Sequence, residues 1–183
     1  MKVLVVVDMQ NDFINGVLGS EAAEKIVPNV CARIKSYTNE GMIFFTRDEH
    51  GADYEDTLEG RAFPEHCIKD TEGFQLDPRV KDLVDPDSET MTVFCKPSFG
   101  CFGIANDLLV QEEATGDKVT SIEIVGLCTD LCVLANAIIL RTAFPDVPMY
   151  IPSDCCAGST PEMHEIALKV LNGMLCDTNE AFI

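Results

Sequence analysis

The sequence has little positive charge. It contains 13 lysine and arginine residues against 31 aspartate and glutamate residues, which gives a formal net charge of −18. Nucleic acids and anionic membranes are bound through positively charged surfaces, so we expect neither nucleic acid nor a membrane as a partner. A small-molecule substrate remains compatible with this composition.

Long apolar runs are absent as well. No stretch approaches the roughly 18 consecutive apolar residues of a membrane-spanning helix. The N-terminal residues have the pattern of a strand and not of a signal peptide. These absences favour a cytoplasmic protein, and the sequence leaves assembly into a homo-oligomer open.

The nine cysteines lack the spacing of a disulfide framework. Their number is odd and their spacing is irregular, and neither the pair Cys128 and Cys132 nor the pair Cys155 and Cys156 has zinc-ribbon or thioredoxin spacing. We therefore expect reduced thiols in a reducing compartment.

Strands and helices alternate along the chain, without repeats or a linker. Lys2 to Val7 is a continuous apolar run, which is typical of a strand buried on both faces of a parallel sheet. Further strands are predicted at 42–46, 90–95, 122–125 and 147–151, helices at 21–38, 102–113 and 161–175, and a short edge strand in the last eight residues. This alternation predicts one domain, residues 1–183, with a three-layer α/β/α fold around a doubly wound parallel sheet.

The stretch from Ile122 to Asn136 predicts a buried strand, a tight turn and a helix. The turn places Cys132 in the first turn of that helix. Free backbone N–H groups and the positive end of the helix dipole favour a thiolate there, and the thiolate is the nucleophilic form of cysteine. The alternative is that Cys132 is a small buried apolar residue, as free cysteines often are.

Two more polar residues end predicted strands: Asp8 follows the first and Lys96 the third. Ligands of doubly wound sheets bind beyond the carboxyl ends of the strands, so we expect both residues near Cys132. Amide hydrolysis needs a nucleophile and a group that carries its proton. Cys132 can be the nucleophile, Asp8 the proton carrier and Lys96 a cation that stabilises both. Each residue alone could instead be a solvated loop residue.

Three motifs, in order and spacing, resemble those of the isochorismatase-like cysteine hydrolases, and within that family those of the nicotinamidases. They are VVVDMQNDF at 5–13, FCKPSFG at 94–100 and VGLCTDLCV at 125–133. The resemblance covers the whole chain. It implies a catalytic triad of Asp8, Lys96 and Cys132 and a sheet of about six strands in the order 3-2-1-4-5-6. It also implies a cis peptide bond between Leu127 and Cys128, and an oxyanion hole made by the backbone N–H groups of Cys128 and Cys132.

The long polar segment from 47 to 86 carries two of the three histidines. Four residues with metal-ligating side chains lie between positions 48 and 66: Asp48, His50, Glu59 and His66. In extended geometry Asp48 and His50 point to the same side. Two imidazoles with two carboxylates suit Zn²⁺, Fe²⁺ or Mn²⁺. The alternative is a solvated acidic loop.

The resemblance favours a metal site. Nicotinamidases carry a DxH pair after the second strand and a later histidine before a cysteine or similar residue, and FPEHC at 63–67 resembles that second signature. One divalent ion is therefore implied, with zinc as the first expectation and iron or manganese as alternatives. Many relatives supply a third histidine, which this segment lacks; Glu59 is the expected substitute and Asp56 the next candidate. The remaining histidine, His164, is expected at the surface of the last helix.

The implied reaction is the hydrolysis of nicotinamide to nicotinate and ammonia. The ion would hold the pyridine nitrogen, so that the carboxamide points at Cys132. Phe13 and Phe63 would sandwich the ring, and Leu18 and Phe99 would form further walls.

Two other functions remain open. One is a related cysteine hydrolase that uses the same triad on another small amide or carbamoyl compound. The other is a non-catalytic, flavodoxin-like binding module with redox-active cysteines. Isochorismatases proper lack the nucleophilic cysteine, so Cys132 favours amide hydrolysis over vinyl-ether hydrolysis.

Overall fold

A computed structural model describes residues 1–38 and 40–179 of the protein. Its strands are β1 (Lys2–Val7), β2 (Met42–Asp48), β3 (Met91–Lys96), β4 (Ser121–Leu127), β5 (Met149–Tyr150), β6 (Cys156–Ala157) and β7 (Cys176–Asp177). Its α-helices are α1 (Asn11–Ile14), α2 (Glu21–Tyr37), α3 (Pro78–Lys81), α4 (Phe102–Thr115), α5 (Leu134–Ala143) and α6 (Pro161–Gly173).

The seven strands form one parallel sheet in the order β3-β2-β1-β4-β5-β7, and the short β6 pairs with the end of β4. The predicted fold class and strand order are confirmed, with β7 in the last position of the order. The strand β6 is an addition of two residues that alternation alone could not show.

The central strand β1 is buried on both faces, as its uninterrupted apolar sequence predicts. One face of the sheet packs against α4, α5 and α6, and the other packs mainly against α2. The two apolar cores hold the strands in register, and the carboxyl ends of β1, β2, β3 and β4 reach the same edge of the sheet.

The helix α2 begins at a side-chain cap and covers one of these cores. The hydroxyl of Ser20 accepts a hydrogen bond from the Ala23 N–H at 3.0 Å, which satisfies one free donor of the first turn. Ile26, Val30 and Ile34 form part of its buried face. Pro28 lies inside the helix, and the helix continues through it to Tyr37.

Several predicted boundaries differ from the structure. The fifth strand covers Met149–Tyr150 only, although the Pro148 C=O and the Ile151 N–H on either side still hydrogen-bond to Ile122 and Asp177 of the neighbouring strands. The polar segments after β1 and β2 are not entirely irregular: they contain the short helices α1 and α3 and a 3₁₀ turn at Tyr54–Asp56. The predicted edge strand at the C-terminus is present as β7, and residues 180–183 lie outside the described residues. Among the described residues, no helix has the length and apolarity that crossing a membrane requires.

Candidate active site

The carboxyl ends of the strands bring four buried polar side chains together. Asp8 follows β1, Asp48 ends β2, Lys96 ends β3, and Cys132 lies in a π-helical turn (Thr129–Val133) between β4 and α5. Lys96 Nζ lies 2.7 Å from Asp8 Oδ2, 3.3 Å from Asp48 Oδ1 and 3.5 Å from Cys132 Sγ. One ammonium group therefore contacts three groups that can carry negative charge.

The carboxylate of Asp8 is placed by an unusual backbone conformation. Its φ is +48°, a left-handed value that residues other than glycine rarely adopt. The Asp8 N–H donates to the Thr46 C=O at 3.2 Å, and the Thr46 hydroxyl donates to Asp8 Oδ1 at 2.6 Å. On the other side lies Gly126, with φ +118°, where any Cβ would overlap the backbone of Val7. The end of β1 is thus confined between β2 and β4.

Burial is the largest influence on the pKa values of Asp8, Cys132 and Lys96. It raises the pKa of Asp8 above the ordinary value, although the charge of Lys96 acts in the opposite direction. Burial also raises the pKa of the Cys132 thiol, and the negative charge of Asp8 adds to this effect. For Lys96, burial lowers the pKa, but Asp8, Cys132 and Asp48 outweigh it and the pKa is raised. Lys96 therefore stays a cation while Asp8 and Cys132 compete for a proton.

The surroundings of Cys132 differ from the sequence prediction. We predicted a position in the first turn of an α-helix that favours the thiolate, whereas Cys132 precedes α5 and is 5% exposed. Its pKa is raised and not lowered, because loss of water disfavours the anion. A thiolate at this position depends on an acceptor for the thiol proton and on the nearby Lys96 cation.

The main chain of Cys132 is fixed by Asn136, which lies one turn further along. Asn136 Nδ2 donates to the Cys132 C=O at 2.8 Å, and Asn136 Oδ1 accepts from the Cys101 N–H at 3.0 Å. Asn136 is buried within an otherwise apolar helical run. This residue was not predicted, because the sequence alone does not separate a buried asparagine that supports a site from one that caps a helix.

The peptide bond between Leu127 and Cys128 is cis, as the resemblance implies. The Cys128 C=O accepts hydrogen bonds from the N–H groups of Leu131 and Val133, both at 3.1 Å. These bonds fold the turn that carries Cys132 back onto Cys128. The role of Cys128 and Cys132 as oxyanion-hole donors stays a prediction.

The structure brings all four predicted metal ligands together. One ligand atom from each of Asp48, His50, Glu59 and His66 lies within 4.8 Å of the others. Asp48 Oδ2 lies 3.0 Å from His50 Nε2 and 3.4 Å from His66 Nε2, and Glu59 Oε1 lies 3.8 Å from both ring nitrogens. Asp56, the alternative to Glu59, is exposed and lies in the 3₁₀ turn. The donor set fits a divalent ion of borderline softness.

The ring of His66 is oriented by its other nitrogen. His66 Nδ1 lies 2.8 Å from the Pro64 C=O, which fixes the proton there and leaves Nε2 free to bind a cation. The ring of Tyr54 packs at 4.5 Å from that of His50 and at 5.2 Å from that of His66. Tyr54 was not among the predicted residues, because the packing of a tyrosine inside a long polar segment leaves no signal in the sequence.

In this cluster, the charge of each ligand candidate changes the pKa of its neighbours. Burial would raise the pKa of Asp48, but the nearby imidazoles of His50 and His66 and the charge of Lys96 outweigh it and lower the pKa. Burial raises the pKa of Glu59, and the charge of Asp48 adds to it. Two acids held this close in a partly buried site favour a cation between them.

A cavity of about 100 Å³ connects the two clusters. Its lining includes Cys128 and Cys132 as well as the ligand candidates Asp48, Glu59 and His66. All four predicted wall residues also line it: Phe13, Leu18, Phe63 and Phe99. Their contacts with a substrate stay a prediction.

The loop before α6 closes one side of this cavity. Ser159 lines the cavity, its N–H donates to Asp130 Oδ1 at 2.7 Å, and its hydroxyl donates to Asp130 Oδ2 at 2.6 Å. The prediction that His164 is a surface residue is wrong: the residue is half-buried, and its Nδ1 lies 2.8 Å from the hydroxyl of Thr129. Sequence reasoning missed this contact because the two residues come from distant segments.

Comparison with known proteins places these observations in a family. The sequence profile of the isochorismatase domain matches residues 2–180. The nicotinamidase of Schizosaccharomyces pombe is 24% identical over 196 residues, covering 91% of this chain and 87% of that relative.

Two solved structures share the fold over nearly the whole chain. The nicotinamidase/pyrazinamidase PncA from Bacillus subtilis is 27% identical, with a TM-score of 0.84 over 98% of this chain and 99% of the other. The pyrazinamidase of Pyrococcus horikoshii, solved in complex with zinc, is 26% identical, with a TM-score of 0.79 over 97% of both chains.

Proposed function

Because this chain belongs to the isochorismatase family of hydrolases, we propose that it is a nicotinamidase, which hydrolyses nicotinamide to nicotinate and ammonia. The observation that carries the proposal is the contact of Lys96 Nζ with both Asp8 and Cys132, beside a cavity that three metal-ligand candidates also line. The likeness to two nicotinamidases at 24–27% identity supports the choice of substrate.

The first step is attack by the sulfur of Cys132. The carboxylate of Asp8 takes the thiol proton, which its raised pKa allows it to hold. The thiolate then forms a bond to the amide carbon, and the carbonyl π electrons move to the oxygen. The backbone N–H groups of Cys128 and Cys132 donate to this oxyanion. Lys96 keeps its positive charge and stabilises the thiolate and the carboxylate in turn.

The second step releases ammonia and then nicotinate. The oxyanion collapses, the carbon–nitrogen bond breaks, and Asp8 returns its proton to the departing nitrogen. Water attacks the thioester and Asp8 accepts one of its protons; the carbon–sulfur bond then breaks, and Asp8 passes that proton to the sulfur of Cys132. The second proton of the water stays on the product, which leaves as nicotinic acid and ionises to nicotinate, so that ammonia takes up this proton in solution. Asp8 and Cys132 thus end in the states in which they began.

Asp48, His50, Glu59 and His66 would hold one divalent ion beside the cavity, which three of them line. When bound, such an ion would offer a coordination position to the pyridine nitrogen and so orient the ring. Phe13, Phe63 and Phe99 contribute aromatic surface to the same cavity, and this favours a flat ring.

Ammonia release from nicotinamide tests the proposal. We expect turnover by the metal-replete protein, and a fall of at least about a thousandfold in the C132A variant with its fold intact. The matched control is C101A, because Cys101 is also a buried thiol in the same core but lies outside the cavity lining. It should keep its turnover.

Assays with several small amides and carbamoyl compounds, together with the removal of metal by EDTA, separate nicotinamidase from the two alternative functions. Turnover of a carbamoyl compound but not of nicotinamide would favour the related hydrolase, as would nicotinamide turnover that EDTA leaves unchanged. No hydrolysis of any amide, together with no covalent modification of Cys132, would favour the binding module.

A further inference from the structure

The side chain of Gln10 is fully buried and is bound to the backbone of a metal-ligand candidate. Gln10 Oε1 accepts a hydrogen bond from the Asp48 N–H at 2.7 Å, and Gln10 Nε2 donates to the Asp48 C=O at 2.9 Å. The same Nε2 donates to the Phe74 C=O at 2.9 Å. One amide group therefore holds both polar backbone groups of Asp48 and ties them to the loop that follows the metal ligands.

Asp12, two residues further on, holds the second ligand segment. Asp12 Oδ2 accepts a hydrogen bond at 2.8 Å from the N–H of Cys67, the residue after His66. Cys67 has a φ of +47°, so this segment follows a sharp, defined path. Gly73 makes room for the carboxylate, because a Cβ at that position would overlap Asp12 Oδ2.

The backbone of the same segment adds a second layer of support. The Asp77 N–H donates to the Met9 C=O at 2.9 Å, the Asn11 N–H donates to the Gln75 C=O at 2.9 Å, and the Asp12 N–H donates to the Gly73 C=O at 3.1 Å. Residues 9–12 thus form a seam with residues 73–77. The polar side chains of Gln10 and Asp12 reach past this seam to Asp48 and Cys67.

We propose that Gln10 and Asp12 are positioning residues of the metal site, so that the segment that supplies the proton carrier Asp8 also sets the spacing of the ligands Asp48 and His66. The inference rests on the proposed function for the claim that an ion binds there. The physical reason is pre-organisation: a ligand on a fixed backbone loses less conformational entropy when the ion binds. Partners one step removed from the ligands typically change metal affinity by about 10–100-fold.

The test is the affinity of the full-length protein for Zn²⁺, measured by competition with a chromophoric chelator. We expect Q10M and D12A to bind Zn²⁺ about 10–100-fold more weakly than the wild type. D12N should stay close to the wild type, because its amide oxygen can still accept from the Cys67 N–H. G73A should weaken binding like D12A, because its Cβ displaces the carboxylate.

The control for a merely structural role is N11A. Asn11 lies between the two positioning residues, and its side chain binds the same loop, since Nδ2 donates to the Glu72 C=O at 2.8 Å, yet it touches no ligand segment. N11A should lower the thermal unfolding temperature in EDTA while changing the Zn²⁺ affinity by less than about twofold. The thermal scan also shows whether Q10M folds. If Q10M does not fold, D12A and G73A still test the inference, because Asp12 and Gly73 are only half-buried.

The outcomes separate this inference from the proposed function. Zn²⁺ affinities of D12A and G73A within about twofold of the wild type overturn the inference alone. An equal loss of affinity in N11A overturns it too, because the effect would then follow loop stability. A wild-type protein that binds no Zn²⁺ overturns the proposed metal site and this inference with it.

Discussion

The ammonium group of Lys96 is the counter-charge for three acidic groups, and its own side chain is buried. Removing a lysine from water is costly unless its charge is paired, and here Asp8 and Asp48 both lie within 3.3 Å of Nζ. The same geometry makes the thiol of Cys132 dependent on its neighbours. Its raised pKa leaves little thiolate at neutral pH unless Asp8 takes the proton.

The pH dependence of kcat/KM should report the raised pKa of Asp8. The reaction needs the carboxylate form, so activity should fall as the pH drops through that pKa, and the midpoint of the acid limb should lie above about 4, the ordinary value for aspartate. In T46V the limb should move further up, because the hydrogen bond from Thr46 stabilises the carboxylate. The measurement is the pH profile of ammonia release for both proteins.

Two results would contradict the assignment of Asp8 as the proton carrier. One is a midpoint of the acid limb of kcat/KM near the ordinary pKa of aspartate, and the other is a midpoint that the T46V substitution does not move. D8N serves as the reference without a titrating group at this position, and it should lose turnover at every pH.

Sequence reasoning identified the residues proposed to react with the substrate, and it missed residues that bind the backbone of others. Asp8 and Lys96 stand at strand ends, Cys132 lies in the turn after β4, and all three belong to recognisable motifs, so their type and place were both predictable. Gln10 and Asn136 hold main-chain groups of other residues, and which main-chain group a buried amide binds depends on the three-dimensional packing.

Among the elements, the strands that supply site residues were predicted most accurately. β2 and β3 run to Asp48 and Lys96, a little beyond their predicted ends, because pairing with the neighbouring strand keeps these polar residues extended. A helical turn was predicted at the right place after β4, but its π-helical form was not, since five residues are too few for apolar spacing to separate a π-helical turn from the start of an α-helix. The prediction for β5 was longer than Met149–Tyr150, and the difference lies at the ends of the strand, where Pro148 and Ile151 still hydrogen-bond to β4 and β7.

The ion pair between α2 and β4 gives a prediction at this scale. Arg33 lies on α2 and pairs with Glu123, a buried carboxylate in the middle of β4 that also accepts from the Tyr37 hydroxyl at 3.2 Å. R33M should lower the free energy of unfolding by about 2 kcal/mol, less than for a fully buried pair because Arg33 is partly exposed. The measurement is urea unfolding.

The matched control for R33M lies on the same helix. Lys25 makes an exposed pair with Glu21 at 3.7 Å, so K25M should change the stability by less than about 0.5 kcal/mol. The double variant R33M/E123Q should recover part of the loss, because it removes the unpaired buried charge. Equal effects of R33M and K25M would show that the α2–β4 pair adds nothing beyond a surface contact.

For the whole molecule, the parallel sheet explains how distant positions form one site. Asp8, Asp48, Lys96 and Cys132 come from four separate segments, and the shared direction of the strands brings their ends to one edge. The alternating pattern of strands and helices was enough to predict this edge. The contacts across it, such as that between Thr129 and His164, depend on how α6 packs and were beyond prediction.

The most direct test of the account is to trap the acyl-enzyme. The wild-type protein, supplied with zinc and nicotinamide and quenched in acid during turnover, is digested and its peptides are analysed by mass spectrometry. The account predicts a nicotinoyl group on Cys132 and no such group in C132A. A nicotinoyl group on another residue such as Cys128, or undiminished ammonia release by C132A, would contradict it.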